Sequence, residues 1–431
     1  MGTPPLPDNL KLRPEWVVVA ACFFVVFGVW NSHAAFGVFL PVLSQEFGWS
    51  RGAISVAASI QLIVGGVIAF AIGGLSDRYG PRWILVMSAF FGGAVFLLTS
   101  GVSALWHFYL LQGLLLGVSI SSIYLVPTTT VSRWFTERRG FALGLLLAGL
   151  HLAFITGPPL AALLINRVGW RATYVILAGL TWAIAIPASW VTRFPPGAGD
   201  SRMAAKGPSR PIPRDGAQGT TPEGATFREA LVDRRLWHLV LAWLLLGFAW
   251  MMMAVHLVSY VKDRGVTLER ASLALTIFGI GAIAGRLLFG VAADTLGTKP
   301  TFRICQILQI ITLAWLLTGP PLWGLYLLML FLGMGGAGSD TAVVKAAVEV
   351  FGVRAIGATM GILSLGWRCG AALGPAVAGF MYDVTGSYLV AFGLASGGLV
   401  VSFAFFTLGT VSLHHKLPGG RLERTKPMRK R

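Results

Sequence analysis

Charge and cysteine are both scarce in this 431-residue chain. Only 12% of residues are Asp, Glu, Lys or Arg, and 55% are hydrophobic. A water-soluble domain needs far more charge to cover its surface, so a soluble fold is excluded. The three cysteines, Cys22, Cys305 and Cys369, all lie in apolar runs. They are spaced for neither a metal site nor a disulfide framework. No phosphate-binding glycine loop, dinucleotide fingerprint, catalytic triad or metal cluster is present, which argues against an enzyme and against a bound cofactor. Residues 1–15 lack the basic start, short apolar core and small-residue cleavage site of a signal peptide, so the first apolar run is expected to remain as a membrane span.

What the chain does have is long apolar runs from end to end. The runs are continuous rather than alternating, which excludes a β-barrel and leaves an all-α membrane protein. Twelve spans are expected, near 16–40, 53–75, 82–102, 106–130, 139–164, 171–192, 236–260, 271–294, 300–318, 321–347, 355–381 and 387–411. They divide into a six-helix half over 1–192 and a second over 236–413. Between the halves, 193–235 is rich in Pro, Gly and Arg and is expected to be a cytoplasmic linker, with a short helix around 227–235 leading into span 7. Residues 414–431 form a basic tail.

Acidic residues are few, 17 against 34 basic, which gives a net charge of +17. Such a balance raises the possibility of a nucleic-acid partner. Here the positive charge is spread over short loops. With both termini on one side, that side holds 26 of the Lys and Arg residues and the other holds 6, with Arg286 and Arg368 left in the membrane. The asymmetry makes the termini cytoplasmic and the basic excess a topology signal with anionic-lipid contact, not a nucleic-acid site.

Arg286 sits within the apolar run Ser272–Ala293, and Arg368 within Ile356–Phe380. An arginine at mid-membrane costs roughly 2.5–3.5 kcal/mol on insertion scales. It persists where the guanidinium faces a water-filled cavity or a partner. An anion pathway is the sharper reading; an interhelical ion pair is the plain one. Asp340 lies inside span 10, and an ion pair with either arginine is as consistent with the sequence as a role in proton coupling. If all three face one cavity, the balance favours a monoanion.

An internal repeat then appears. GGLSDRYGPR (Gly73–Arg82) follows span 2, and GVAADTLGTK (Gly290–Lys299) follows span 8. Both read G-x-x-x-D-x-x-G-x-K/R at the same place in each half, the signature of a duplicated transporter. Asp77, Arg78, Arg82 and Asp294 are thereby candidates for conformational gating. Lys345 and Glu349, one turn apart, suggest a surface pair.

On these motifs the chain resembles the major facilitator superfamily over essentially its whole length. FGWSRGAIS (Phe47–Ser55), RWFTERRGFALGLLLAG (Arg133–Gly149), GWRATY (Gly169–Tyr174) and ALGPAVAGFMYDVTGSY (Ala372–Tyr388) look like the bacterial monocarboxylate transporters, next to the oxalate–formate antiporters. The resemblance implies that Arg286 holds a substrate carboxylate and that Arg368 is a second basic ligand. It implies that Asn31, Tyr124 and His151 line the cavity as donors to the substrate, with packing contacts as their plain alternative. It also implies a bacterial inner membrane and a small organic acid as substrate, moved with a co-transported proton or by anion exchange; function as a monomer is expected. The animal relatives carry an aspartate one turn before the span 8 arginine. Here that place is Ala282, which turns attention to Asp340 and His33 as proton carriers. An efflux pump on the same fold and a non-transporting membrane sensor remain as alternatives.

Overall fold

The computed structural model describes residues 14–135, 139–195, 227–352 and 356–410. Fourteen α-helices and one π-helical turn are found among them. α1 (Pro14–Ala34) and α2 (Phe36–Phe47) form the first span, bent at Ala35. α3 (Arg51–Tyr79) and α4 (Pro81–Thr99) are the second and third. α5 (Leu105–Phe108), the π-helical segment Tyr109–Leu115 and α6 (Leu116–Trp134) make the fourth. α7 (Arg139–Val191) holds the fifth and sixth, broken where Gly169 takes φ 81°.

The short α8 (Phe227–Val232) leads into the second half, as the sequence suggests. α9 (Arg234–Asp263), α10 (Leu268–Thr295), α11 (Thr298–Leu317), α12 (Leu322–Phe351), α13 (Ile356–Thr385) and α14 (Leu389–Gly409) complete it. Ten segments are long and apolar enough to cross a membrane by length and composition. One of these is the broken α7, and α13 adds another helix of spanning length. Twelve spans result among the described residues. The expected linker, beyond 193–195 and 227–235, and the tail lie outside the described residues.

Local signals explain most boundaries. Ser50 caps α3 by accepting from the Ala53 amide at 3.2 Å, and Asp233 caps α9 by accepting from the Arg235 amide at 2.8 Å. Pro81 opens α4 at a position where its missing N–H is not needed. The two copies of the repeat fold alike: Gly80 (φ 85°) and Gly297 (φ 93°) each turn the chain between two helices in a conformation that disfavours any side chain.

Within the first half α1 and α4 pack on α7, and α3 and α4 on α6. Within the second, α9 packs on α13 and α14, and α12 on α10 and α11. The halves meet through α3 with α13, α7 with α10, and α2 with α9. Lipid offers no hydrophobic drive between helices, so close backbone approach has to supply the contact. A Cβ on Gly281 would meet the Leu330 carbonyl, and one on Gly285 would meet Met334, which leaves α10 and α12 nearly backbone to backbone. On the far face of α10, Leu287 (68%) and Val291 (64%) are exposed. That face is turned to lipid, and the face with Ala282 and Gly285 is turned inward.

This seam yields a direct test. Gly285→Ala should destabilise the protein by ~1–3 kcal/mol through overpacking against backbone that cannot yield. Gly290→Ala, where nothing lies within 4 Å of the added carbon, should be near neutral. Thermal unfolding of the two variants beside the parent checks it.

Candidate functional site

Four of the residues singled out from sequence converge between the halves. Arg286 of α10 donates from Nη2 to Oδ2 of Asp340 on α12 at 3.1 Å. Trp243 of α9 donates from Nε1 to the other carboxylate oxygen at 2.8 Å. Both oxygens of Asp340 are thus engaged, and three helices are tied at one carboxylate. The side chains of Arg286 and Asp340 keep 38% and 31% of their exposure, which at mid-span means a wet cavity. Arg286 Nε is buried with no hydrogen-bond partner among the described residues.

Arg368 of α13 reaches across to the first half. Its stem lies in a slot left by Gly65 and Gly66 on α3; a Cβ on Gly66 would be 3.2 Å from Arg368 Cδ. Among the described residues no carboxylate lies within ion-pair distance of its guanidinium, and the Tyr124 hydroxyl acts on it electrostatically. Tyr124 of α6 is 47% exposed in mid-helix and within electrostatic reach of Asp340, Arg286 and Arg368. Its exposure is therefore to the cavity. Two guanidinium groups facing one carboxylate leave one positive charge unmatched.

His151 of α7 is buried beside this group. Its Nδ1 donates to the Leu147 carbonyl at 3.2 Å, and it feels the charge of Arg286. Asn31 and His33 are held elsewhere. The Asn31 amide donates to Thr156 Oγ1 at 2.6 Å, a tie between α1 and α7. His33 Nδ1 accepts from Gln61 Nε2 at 3.1 Å. It lines a small apolar cavity with Phe154, Met251 and Val255, deeper between the halves.

The two ends of the bundle differ. At one end Asp77 pairs with Arg133 at 2.5 Å and Asp294 with Lys345 at 2.6 Å. Each aspartate of the repeat thus binds a basic residue late in the fourth span of its own half. Arg78 lies over the Tyr79 ring and Arg82 over Trp190. Lys345 and Glu349 are not the surface pair the sequence suggests: Lys345 donates to Asp294 and to the Ala293 carbonyl, and Glu349 accepts from Thr298. The contacts of α12 with α10 and α11 bring partners closer than the next turn does.

At the opposite end the halves are clamped together. Arg51, at the start of α3, donates from both terminal nitrogens to Asp263 at the end of α9, each at 2.6 Å. Its guanidinium lies 4.0 Å from the ring centre of Tyr382. The first amides of α3, from Arg51 and Gly52, donate to Asp383 of α13 at 3.0 and 2.8 Å, so this carboxylate also faces the positive end of the helix. In the sequence Arg51 is one of the six basic residues on the outer side, in the loop between spans 1 and 2. The acids near the ends of spans 7 and 11 were its only signal.

The sequence matches the family model of the Major Facilitator Superfamily over residues 19–271 and 259–430, and the chain belongs to that family of transporters. Its curated relatives include human monocarboxylate transporter 11, 27% identical over 404 residues that cover 91% of this chain and 82% of that one. An uncharacterised MFS-type transporter of Bacillus subtilis, YcxA, is 26% identical over 388 residues, covering 88% of this chain and 91% of that one. Among solved structures, a bacterial homologue of the human lysosomal transporter Spinster, in an inward-facing and unoccupied conformation, superposes with TM-score 0.68. At 16% identity, over 93% of this chain and 96% of that one, it shares the fold. Family and fold together mark a membrane-spanning transporter rather than an enzyme.

The Asp340 group predicts non-additive stability. Arg286→Gln and Asp340→Asn should each lower the unfolding temperature, and the double variant should lose less than the sum of the two. A coupling of ~1 kcal/mol is expected for a pair this exposed. A thermal double-mutant cycle reads it.

Proposed function

We propose that the protein is a secondary active transporter of small organic anions, chiefly monocarboxylates, which it moves by alternating access with proton symport or anion exchange. The observation that carries this reading is Arg368. It is a mid-membrane guanidinium with no acid partner among the described residues, in a cavity whose net charge is positive. A planar fork of N–H donors suits a carboxylate. Tyr124 stands ready as a hydroxyl donor. The relatives named as monocarboxylate transporters support the same substrate class.

Arg286 is the second ligand, gated by Asp340. While Asp340 is ionised it competes for Arg286. Protonation of Asp340 removes that competitor and leaves both guanidinium groups for the anion. This assigns proton coupling to α12, with His33 as the other candidate. His151, beside Arg286, orients the substrate, whereas Asn31 ties α1 to α7. Both termini lie in the cytoplasm and the Arg51 end outside, a reading the Lys and Arg bias supports, and the membrane is a bacterial inner membrane, a reading the family resemblance supports. The clamped Arg51 end then corresponds to a state open to the inside. Residues 193–235 act as the linker between halves, and the monomer is the working unit.

Uptake of labelled lactate, pyruvate, oxalate and benzoate into proteoliposomes tests this reading. Arg368→Gln should raise the KM for a carboxylate about ten- to a hundredfold, the scale of one lost charge-assisted contact. Asp340→Asn should keep exchange and lose accumulation driven by a proton gradient. Absence of flux for any acid, or flux indifferent to both arginines, would turn attention to the efflux and sensor alternatives.

A further inference from the structure

His256 of α9 is fully buried where the halves meet at the Arg51 end. Its Nε2 lies 2.8 Å from the Pro375 carbonyl oxygen on α13 and 3.1 Å from Ser55 Oγ on α3. A carbonyl only accepts. The Ser55 hydroxyl already donates to the Arg51 carbonyl at 2.7 Å, so it too can only accept from the ring. Nε2 therefore carries the hydrogen. In the neutral ring Nδ1 is bare, and the Tyr388 hydroxyl lies 3.1 Å from it. Tyr388 in turn accepts from Arg51 Nη1 at 2.9 Å, which leaves its own hydrogen to point at Nδ1. One polarised chain runs from Arg51 through Tyr388 and His256 to Pro375 and Ser55, and it joins both halves.

The chain is built around a neutral ring. A second N–H on Nδ1 would face the Tyr388 oxygen, which would turn its own hydrogen to the buried Ser259 hydroxyl and hold two cations, Arg51 and His256, on one neutral oxygen away from water. Arg51 at the start of α3 and Asp383 of α13 are the charges that act on the ring among the described residues. Arg51 opposes a second cation. Asp383 would favour one, but both its oxygens hold the amides that open α3. On α9 itself Asp263 is bidentate to Arg51. Glu46 of α2 is paired with Arg171, Asp340 of α12 with Arg286, and α14 carries no charged residue.

We propose that His256 is a proton-binding site built into the clamped end of the bundle, and that taking up a proton there parts the two halves at that end. The proton comes from water on that face, and the step consumes nothing else. With the halves apart the ring meets water and titrates near the ordinary value of about 6.5. The open state then binds more protons than the clamped one. Acidification below about pH 6.5 should raise the open-to-clamped ratio by up to about tenfold per pH unit. None of this depends on which substrate the central cavity carries.

The test is a distance measurement that needs no transport. Spin labels at Ser103→Cys and Thr318→Cys, exposed positions at the Arg51 end of the two halves, report the gap in lipid nanodiscs. Cys369→Ser removes the exposed native thiol. Between about pH 8 and about pH 5 the longer-distance population should grow. The response should vanish in His256→Gln, which keeps a donor and an acceptor but does not titrate, and persist in Glu46→Gln, whose acid is paired inside the first half. A single unchanging distance in the parent overturns the proposal. So does a response that survives in His256→Gln or disappears in Glu46→Gln. If His256→Gln cannot be recovered folded, His256→Asn is read in its place by the same outcomes.

Discussion

A guanidinium cannot be left in hydrocarbon, and the inner architecture follows from that constraint. Arg286 and Arg368 need a wet or paired environment at mid-membrane, so their helices must turn those faces inward and keep water or an acid within reach. α10 does so by presenting Leu287 and Val291 to the outside and its small residues to α12. α13 does so by laying the Arg368 stem over two glycines of the other half. The cavity is therefore a requirement of the charges, not a packing defect between halves.

The ties at the two ends are arranged unequally. At the repeat-loop end the ion pairs of Asp77 and Asp294 stay inside their own halves. At the Arg51 end the ties run between halves, through Asp263, Asp383 and Tyr388. Partly exposed ion pairs are each worth about 1 kcal/mol or less. A handful of them gives a clamp of a few kcal/mol, the scale on which a two-state equilibrium can be tipped by a proton or a ligand. A fully apolar seam of the same extent would be harder to switch.

The features legible in the sequence are those that repeat or stand alone. Gly80 and Gly297 were visible as a duplicated loop, and their shared backbone conformation explains why both are glycine. Arg286, Asp340 and Arg368 were visible because a charge in an apolar run is conspicuous. Which of the two arginines pairs with Asp340 was not, because α10 and α12 approach at a register that spacing alone does not give. Trp243 was hidden among 15 tryptophans, most with ordinary reasons to sit in a membrane helix. The Arg51 clamp was hidden by distance: its acids lie 212 and 332 residues away, at helix ends where a charge normally means solvent.

The placement of the central acid has a physical cause of its own. The resemblance to the animal monocarboxylate transporters implies an aspartate where Ala282 stands, on the same helix as the arginine. Here Ala282 is fully buried, and its amide lies in the seam where α12 presents Gly333. A carboxylate in that seam would have neither room nor water. Moving the acid to Asp340 keeps the charge beside Arg286 but places it on the facing helix, with Trp243 of a third helix on its other oxygen. An acid and base on one helix change only that helix when the acid takes a proton. An acid shared by α9, α10 and α12 changes how three helices hold one another, so here the charge state of the site and the packing of the second half are a single variable.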